Sequence, residues 1–153
     1  MTSVRFEQGS LENIEDLVEV FERVEKEEGE QEIDRDYLRE YIEGTYLSEM
    51  VHSFVLLVYI GSKPVGILTA FLTPKASVRE WLSLCNIFFV VPEHRGNPFL
   101  SYRMFKNFLR WSKEIGATEI LVGRSFEDEK LHKALTKFGF KEKEVLYKKK
   151  IKR

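Results

Sequence analysis

Residues 87–109 read IFFVVPEHRGNPFLSYRMFKNFL, and this stretch decides the fold. Ile87–Val91 is a continuous apolar run, rich in β-branched and aromatic residues, of the kind that forms a buried strand. Pro92 stops it, and Arg95-Gly96 makes a turn. Asn97-Pro98 then starts a helix, since Asn is a preferred N-cap and Pro suits the first helical position. A strand that turns directly into a helix N-terminus gathers backbone N–H groups and the positive end of the helix dipole. Proteins hold phosphate groups at such places.

Downstream, Leu100, Met104, Phe108, Trp111 and Ile115 share one helical face, and Gly116 is placed to end that helix. Thr118–Val122 is predicted as a strand. Ser125 can cap a shorter helix carrying Leu131, Ala134, Leu135 and Phe138, which Gly139 ends. A last strand region starts at Phe140 and includes Val145–Ile151. Upstream, Val4–Gln8 reads as a strand, and Ser10 caps a helix bearing Leu11, Ile14, Leu17, Val18, Phe21 and Val24. After an acidic loop around Gly29, Asp34 caps a second helix with Leu38, Tyr41, Ile42 and Tyr46 on its apolar side. Ser53–Ile60 and Val65–Leu72 are two β-rich runs joined by Gly61-Ser62-Lys63-Pro64, a hairpin signal, and Val78–Val91 is a third strand region. The order β-α-α-β-β-β-α-β-α-β predicts an α/β (α+β) fold. Its mixed central sheet would have six or seven strands, covered on both faces by about four helices, in one domain over residues 1–153.

The chain has 153 residues, 43% of them hydrophobic, with twelve Phe. Its longest apolar runs are far too short to span a bilayer, and the N-terminus lacks the apolar stretch of a signal peptide, so a cytoplasmic protein is expected. A single cysteine, Cys85, excludes an internal disulfide and a cysteine-based metal cluster, and no metal site is expected. The net charge of −1 hides an asymmetry: residues 1–50 hold 16 acidic and 5 basic side chains, a balance of −11. Residues 141–153 hold 7 basic and 2 acidic, a balance of +5. Glu25–Asp36 contains seven carboxylates and two basic residues. An acidic first third suits a cationic partner and argues against a broad nucleic-acid footprint, whereas a basic remainder suits an anionic ligand. A homodimer is one assembly the chain could adopt.

Val90-Val91-Pro92-Glu93-His94-Arg95-Gly96-Asn97-Pro98-Phe99-Leu100 resembles the acyl-CoA pyrophosphate loop of GNAT-type N-acetyltransferases, V-x-P-x-x-R-G-x-G-x-G. Lys137-Phe138-Gly139-Phe140 resembles the K-x-G-F ending of the same family, and the order of elements is also the same. The resemblance implies acetyl-CoA as co-substrate and an amine acceptor, either a small amine, a polyamine or a basic protein. It implies that the main chain of Phe88, Phe89 and Val90 takes the pantetheine arm, and that Arg95, Gly96, Asn97, Phe99, Leu100 and Ser101 take the pyrophosphate. Two loop glycines of the pattern are replaced by Pro98, which has no N–H, and Leu100, which adds bulk. Leu135 stands where many members carry a proton-donating tyrosine. His132, Tyr147 and Glu80 are the proton-transfer candidates that remain, the first two as donors and Glu80 as a base. With Pro98, Leu100 and Leu135 in place, the alternative is a catalytically inactive protein of this shape that grips a cationic partner.

Overall fold

The computed structural model describes residues 3–123, 129–144 and 146–151. Strand β1 (Val4–Gln8) is followed by α1 (Ile14–Glu27) and α2 (Arg35–Tyr46). Three strands come next, β2 (Ser53–Ile60), β3 (Lys63–Pro74) and β4 (Trp81–Val90), followed by α3 (Pro98–Glu114), β5 (Glu119–Val122) and α4 (Glu129–Lys137). The sheet order is β1-β2-β3-β4-β5. All neighbours are antiparallel except β4 and β5, which are parallel. The described residues thus give five strands, not six or seven. Residues 140–144 and 146–151, expected to close the sheet, form no strand; Val145 and the predicted Ser125 cap lie outside the described residues.

Local chemistry explains the boundaries. Ser10 opens the first helical segment with a capping box: its N–H donates to Asn13 Oδ1 at 2.8 Å, and its Oγ accepts from the Glu12 N–H at 3.3 Å. Asp34 Oδ1 accepts the N–H groups of Asp36 and Tyr37, both at 3.1 Å, and so starts α2. Gly116 adopts φ 90°, which lets its own N–H and that of Ala117 turn back onto Lys113 and Ser112 and end α3.

Alternation along β2 sorts the two layers. Tyr59 donates its hydroxyl to Asp16 of α1 at 2.7 Å, whereas Phe54 stacks on Trp111 of α3 at 5.3 Å between ring centroids. Helices α1 and α2 therefore cover one face of the sheet and α3 the other. Leu17, Phe21, Ile42, Leu57 and Ile67 fill the first side, and Leu68, Leu100, Met104 and Phe108 the second. On the α3 side, the buried hydroxyls of Ser83 and Ser112 pair at 2.8 Å. Ser112→Ala should leave the Ser83 hydroxyl buried without a partner and cost about 1–3 kcal/mol, whereas Ser83→Ala with Ser112→Ala should cost no more than the single change. Urea unfolding of the two variants beside the unchanged protein measures the difference.

Candidate active site

The turn after β4 is built around Arg95. Pro92–His94 form a short 3₁₀ turn, in which the His94 N–H donates to Val91 O at 3.0 Å. From the end of that turn the Arg95 side chain folds back. Its Nε–H donates to Val90 O at 2.7 Å, and its Nη1–H donates to Glu27 Oε1 at 2.7 Å. Its Nη2–H donates to Glu27 Oε2, and the guanidinium lies 5.2 Å from the Phe89 ring centroid. A bidentate arginine–carboxylate pair is directional and charge-assisted, so Arg95 ties the strand end, the turn and the last residue of α1 together.

Asn97 caps α3 as expected, its Oδ1 accepting the Phe99 N–H at 3.0 Å. The Asn97 N–H donates to His94 O and the Leu100 N–H to Asn97 O, each at 3.3 Å. Three of the main-chain donors expected to face a phosphate are thus engaged within the turn and cap, and Pro98 has none to offer. The expected obstruction by Leu100 is absent, because its side chain is only 2% exposed and lies in the core beneath α3. Gly96 has nothing within 4 Å of the place a Cβ would occupy, so the backbone is open on its outer side. The helix dipole of α3 points there.

Beyond the turn, the sheet divides. The β4–β5 ladder spans Leu82–Cys85 against Glu119–Val122, and its last hydrogen bond runs from the Gly123 N–H to Cys85 O at 2.9 Å. Strand β4 continues five residues further, Asn86–Val90, paired only with β3. The Val91 N–H donates to Val65 O at 2.9 Å. Antiparallel alternation then turns the main-chain groups of Phe89 toward β3 and those of Phe88 and Val90 into the opening. Of the three strand residues read from the sequence, two address the fork and one does not. The carbonyl of Val90 is held by Arg95.

At the mouth of the fork, β4 carries a bulge. Thr69 is opposite Ile87 and Ala70 opposite Cys85, which leaves Asn86 as the extra residue. Its side chain reaches the α2 layer, where Asn86 Nδ2–H donates to the Tyr46 hydroxyl at 2.6 Å and Thr69 Oγ1–H donates to Asn86 Oδ1 at 2.8 Å. Tyr46 is 3% exposed. Burial pushes its hydroxyl above the ordinary phenol range, and the Asn86 and Thr69 contacts oppose that only in part. Asn86, Tyr46 and Thr69 form the polar cluster that sequence reasoning missed. The legible signal was an asparagine inside the apolar run Cys85–Val91.

The expected proton carriers do not converge. His132 is on α4, with Nδ1 3.4 Å from Glu142 Oε1, and Glu80 lies before the opposite end of β4, where it meets Lys75 at 3.4 Å and Thr118 at 3.3 Å. Tyr147 is 94% exposed in a segment without strand pairing. Leu135 packs against the core.

No protein-family model matches this sequence, and no curated protein matches it. Solved structures do match in shape. A probable acetyltransferase superposes with a TM-score of 0.78 at 18% identity, covering 97% of this chain and 99% of its own. A predicted acetyltransferase from Clostridium acetobutylicum, solved with acetyl-CoA, gives 0.76 at 15% identity over 97% and 96%. A ribosomal-protein-alanine N-acetyltransferase from Brucella melitensis biovar Abortus 2308 gives 0.74 at 11% identity over 97% and 99%. The chain has the GNAT-type N-acetyltransferase fold.

Cys85, the last ladder residue, is completely buried, and burial pushes its thiol far above the ordinary range. The folded state keeps this proton while the unfolded thiol gives it up, so the contribution is whole below the ordinary pKa of 9.0 and lost above it. Stability should fall above about pH 9, by at most roughly 1.4 kcal/mol per pH unit from this group. In Cys85→Ala the fall should begin about one unit later, where Tyr46 and Tyr59 take over. Urea midpoints between pH 8 and pH 10.5 give the comparison.

Proposed function

We propose that this chain is an acetyl-CoA-dependent N-acetyltransferase acting on an amine. The single observation that carries this reading is the fork between β4 and β5, with main-chain groups of Phe88 and Val90 turned into it and the α3 N-terminus at its far end. An extended chain bearing amides can add to such an edge as a strand would. The pantetheine arm has that character, and the anionic pyrophosphate suits the open side of Gly96 at a helix N-terminus. The inward direction of Leu100 leaves room for this placement.

Acetyl-CoA supplies an acyl group activated as a thioester. A neutral amine forms the new C–N bond at the carbonyl carbon as the C–S bond breaks, its proton passing to water and the electron pair leaving on sulfur, which takes a proton from solvent. Asn86 and Tyr46 stand where β4 and β5 part. Their role is to orient the amine. The high pKa of Tyr46 keeps its hydroxyl protonated, a donor of hydrogen bonds and not a base. The acidic first third draws cationic acceptors toward the same face.

The second reading, a binding protein without catalysis, is favoured by one specific feature. Glu27 occupies the fork of Arg95, so this arginine already has its carboxylate. The two separate in one experiment. With acetyl-CoA at a hundred times its Kd, the protein should gain about 2.7 kcal/mol and melt several degrees higher. CoA release with an amine should follow. An unchanged melting temperature in the folded protein would leave the binding protein as the reading that stands.

A further inference from the structure

Strand β1 is an edge with no strand on its outer side among the described residues: the sheet order begins there, and β1 pairs with β2 from Val4 to Gln8 without a bulge. The flanking bonds set which main-chain groups are used. The Gly61 N–H donates to Ser3 O at 3.0 Å and the Gly9 N–H to Val55 O at 2.8 Å. By alternation Ser3, Arg5, Glu7 and Gly9 turn their groups to β2, whereas Val4, Phe6 and Gln8 turn theirs outward. Of these outward groups, the Gln8 C=O accepts from Asn13 Nδ2–H at 3.0 Å. Such an edge invites another strand, and proteins defend edges with proline, a bulge, a covering segment or charge. Strand β1 has no proline and no bulge, and its two charges, Arg5 and Glu7, are opposite in sign and symmetric about Phe6. They share one face of the sheet, where Arg5 Nε–H donates to Glu7 Oε1 at 2.8 Å and the guanidinium stands 4.4 Å from the Tyr59 ring centroid. Phe6 is on the other face, its ring centroid 4.4 Å from the Arg103 guanidinium of α3.

We propose that this edge is the seam of a homodimer, in which β1 of one protomer runs antiparallel to β1 of its partner about a two-fold axis at Phe6. Phe6 then exchanges its N–H and C=O with the partner's Phe6, and the Gln8 N–H meets the partner's Val4 C=O. Arg5 falls opposite the partner's Glu7, and by symmetry Glu7 falls opposite the partner's Arg5. Both are non-hydrogen-bonded pairs, in which the side chains of facing residues stand closest. The same charges fix the register, since an axis at Arg5 or at Glu7 would set like charges directly opposite. Strands β1 and β5 are opposite edges of the sheet, so the fork of each protomer stays open, and the seam holds whether or not the fork takes acetyl-CoA. Two paired strands of this length make a small interface, and the dimer is of the weak, concentration-dependent kind.

Sedimentation equilibrium of the full chain, up to about millimolar concentration, should give a mass that rises from 18.1 kDa toward twice that value. Arg5→Glu and Glu7→Arg, each alone, should raise the dimer dissociation constant at least about tenfold, because every charge pair across the seam then carries like signs. An equimolar mixture of the two variants should recover the mass of the unchanged protein, since the carboxylates of one variant face the guanidinium groups of the other. Misfolding cannot produce that recovery. A mass that stays at 18.1 kDa throughout, a dimer indifferent to both single changes, or a mixture that remains monomeric overturns the seam.

Discussion

The whole arrangement depends on β4 being paired on both sides for part of its length and on one side for the rest. A buried main chain must place its N–H and C=O groups somewhere, and in a sheet the neighbouring strand takes them. Here the neighbour ends. Strand β5 reaches only Val122, and the last shared bond is the one from Gly123 to Cys85. The bulge at Asn86 falls one residue later, so the added twist of a bulged strand comes at the point of separation. The main-chain groups of Phe88 and the N–H of Val90 are then left to address whatever enters from the open side, the Val90 carbonyl being held by Arg95, while β3 pairs with the strand behind them.

That opening is held from the other end by Arg95. Its side chain binds the carbonyl of Val90, stands near the ring of Phe89 and closes a bidentate pair with Glu27. Strand end, turn and first helix are thereby fixed by one residue, with the pair partly shielded from water. The consequence for an anionic ligand is specific. A guanidinium committed to a carboxylate contributes little net positive field, so affinity for a pyrophosphate must come mainly from the α3 dipole and the backbone around Gly96. This loop trades charge for rigidity.

Much of this was legible in the residues. The strand, the Arg-Gly turn, the Asn97 cap and the apolar face of α3 were all readable, because each is a local preference that tertiary structure reinforces. Leu100 shows how two correct local statements conflict. Its place in a glycine pattern suggested bulk over the turn, yet its helical spacing with Met104 and Phe108 placed it in the core, and burial decided the matter. The partner of Arg95 was not legible. Residues 27 and 95 meet only because α1 runs back along the sheet, and sequence spacing carries no trace of that. Asn86 was missed for a related reason: a bulge exists only in the register between two strands. The last strand was read from β-rich composition alone, a preference that depends on tertiary context, and residues 146–151 form no strand.

The side of the sheet on which polar groups meet the fork has a mechanistic meaning. Leu135 of α4 is apolar and packs against the core, so that position offers no proton. The hydrogen-bonding groups come from the other side, through Asn86, Thr69 and Tyr46. A group that enters along the β4 edge would therefore meet fixed dipoles on the α2 side. Preorganised dipoles act most strongly where water is excluded, and a hydroxyl that stays protonated cannot compete with an amine for the electrophile. On the N-acetyltransferase reading proposed above, chemistry at this fork is organised by orientation, with proton movement left to water.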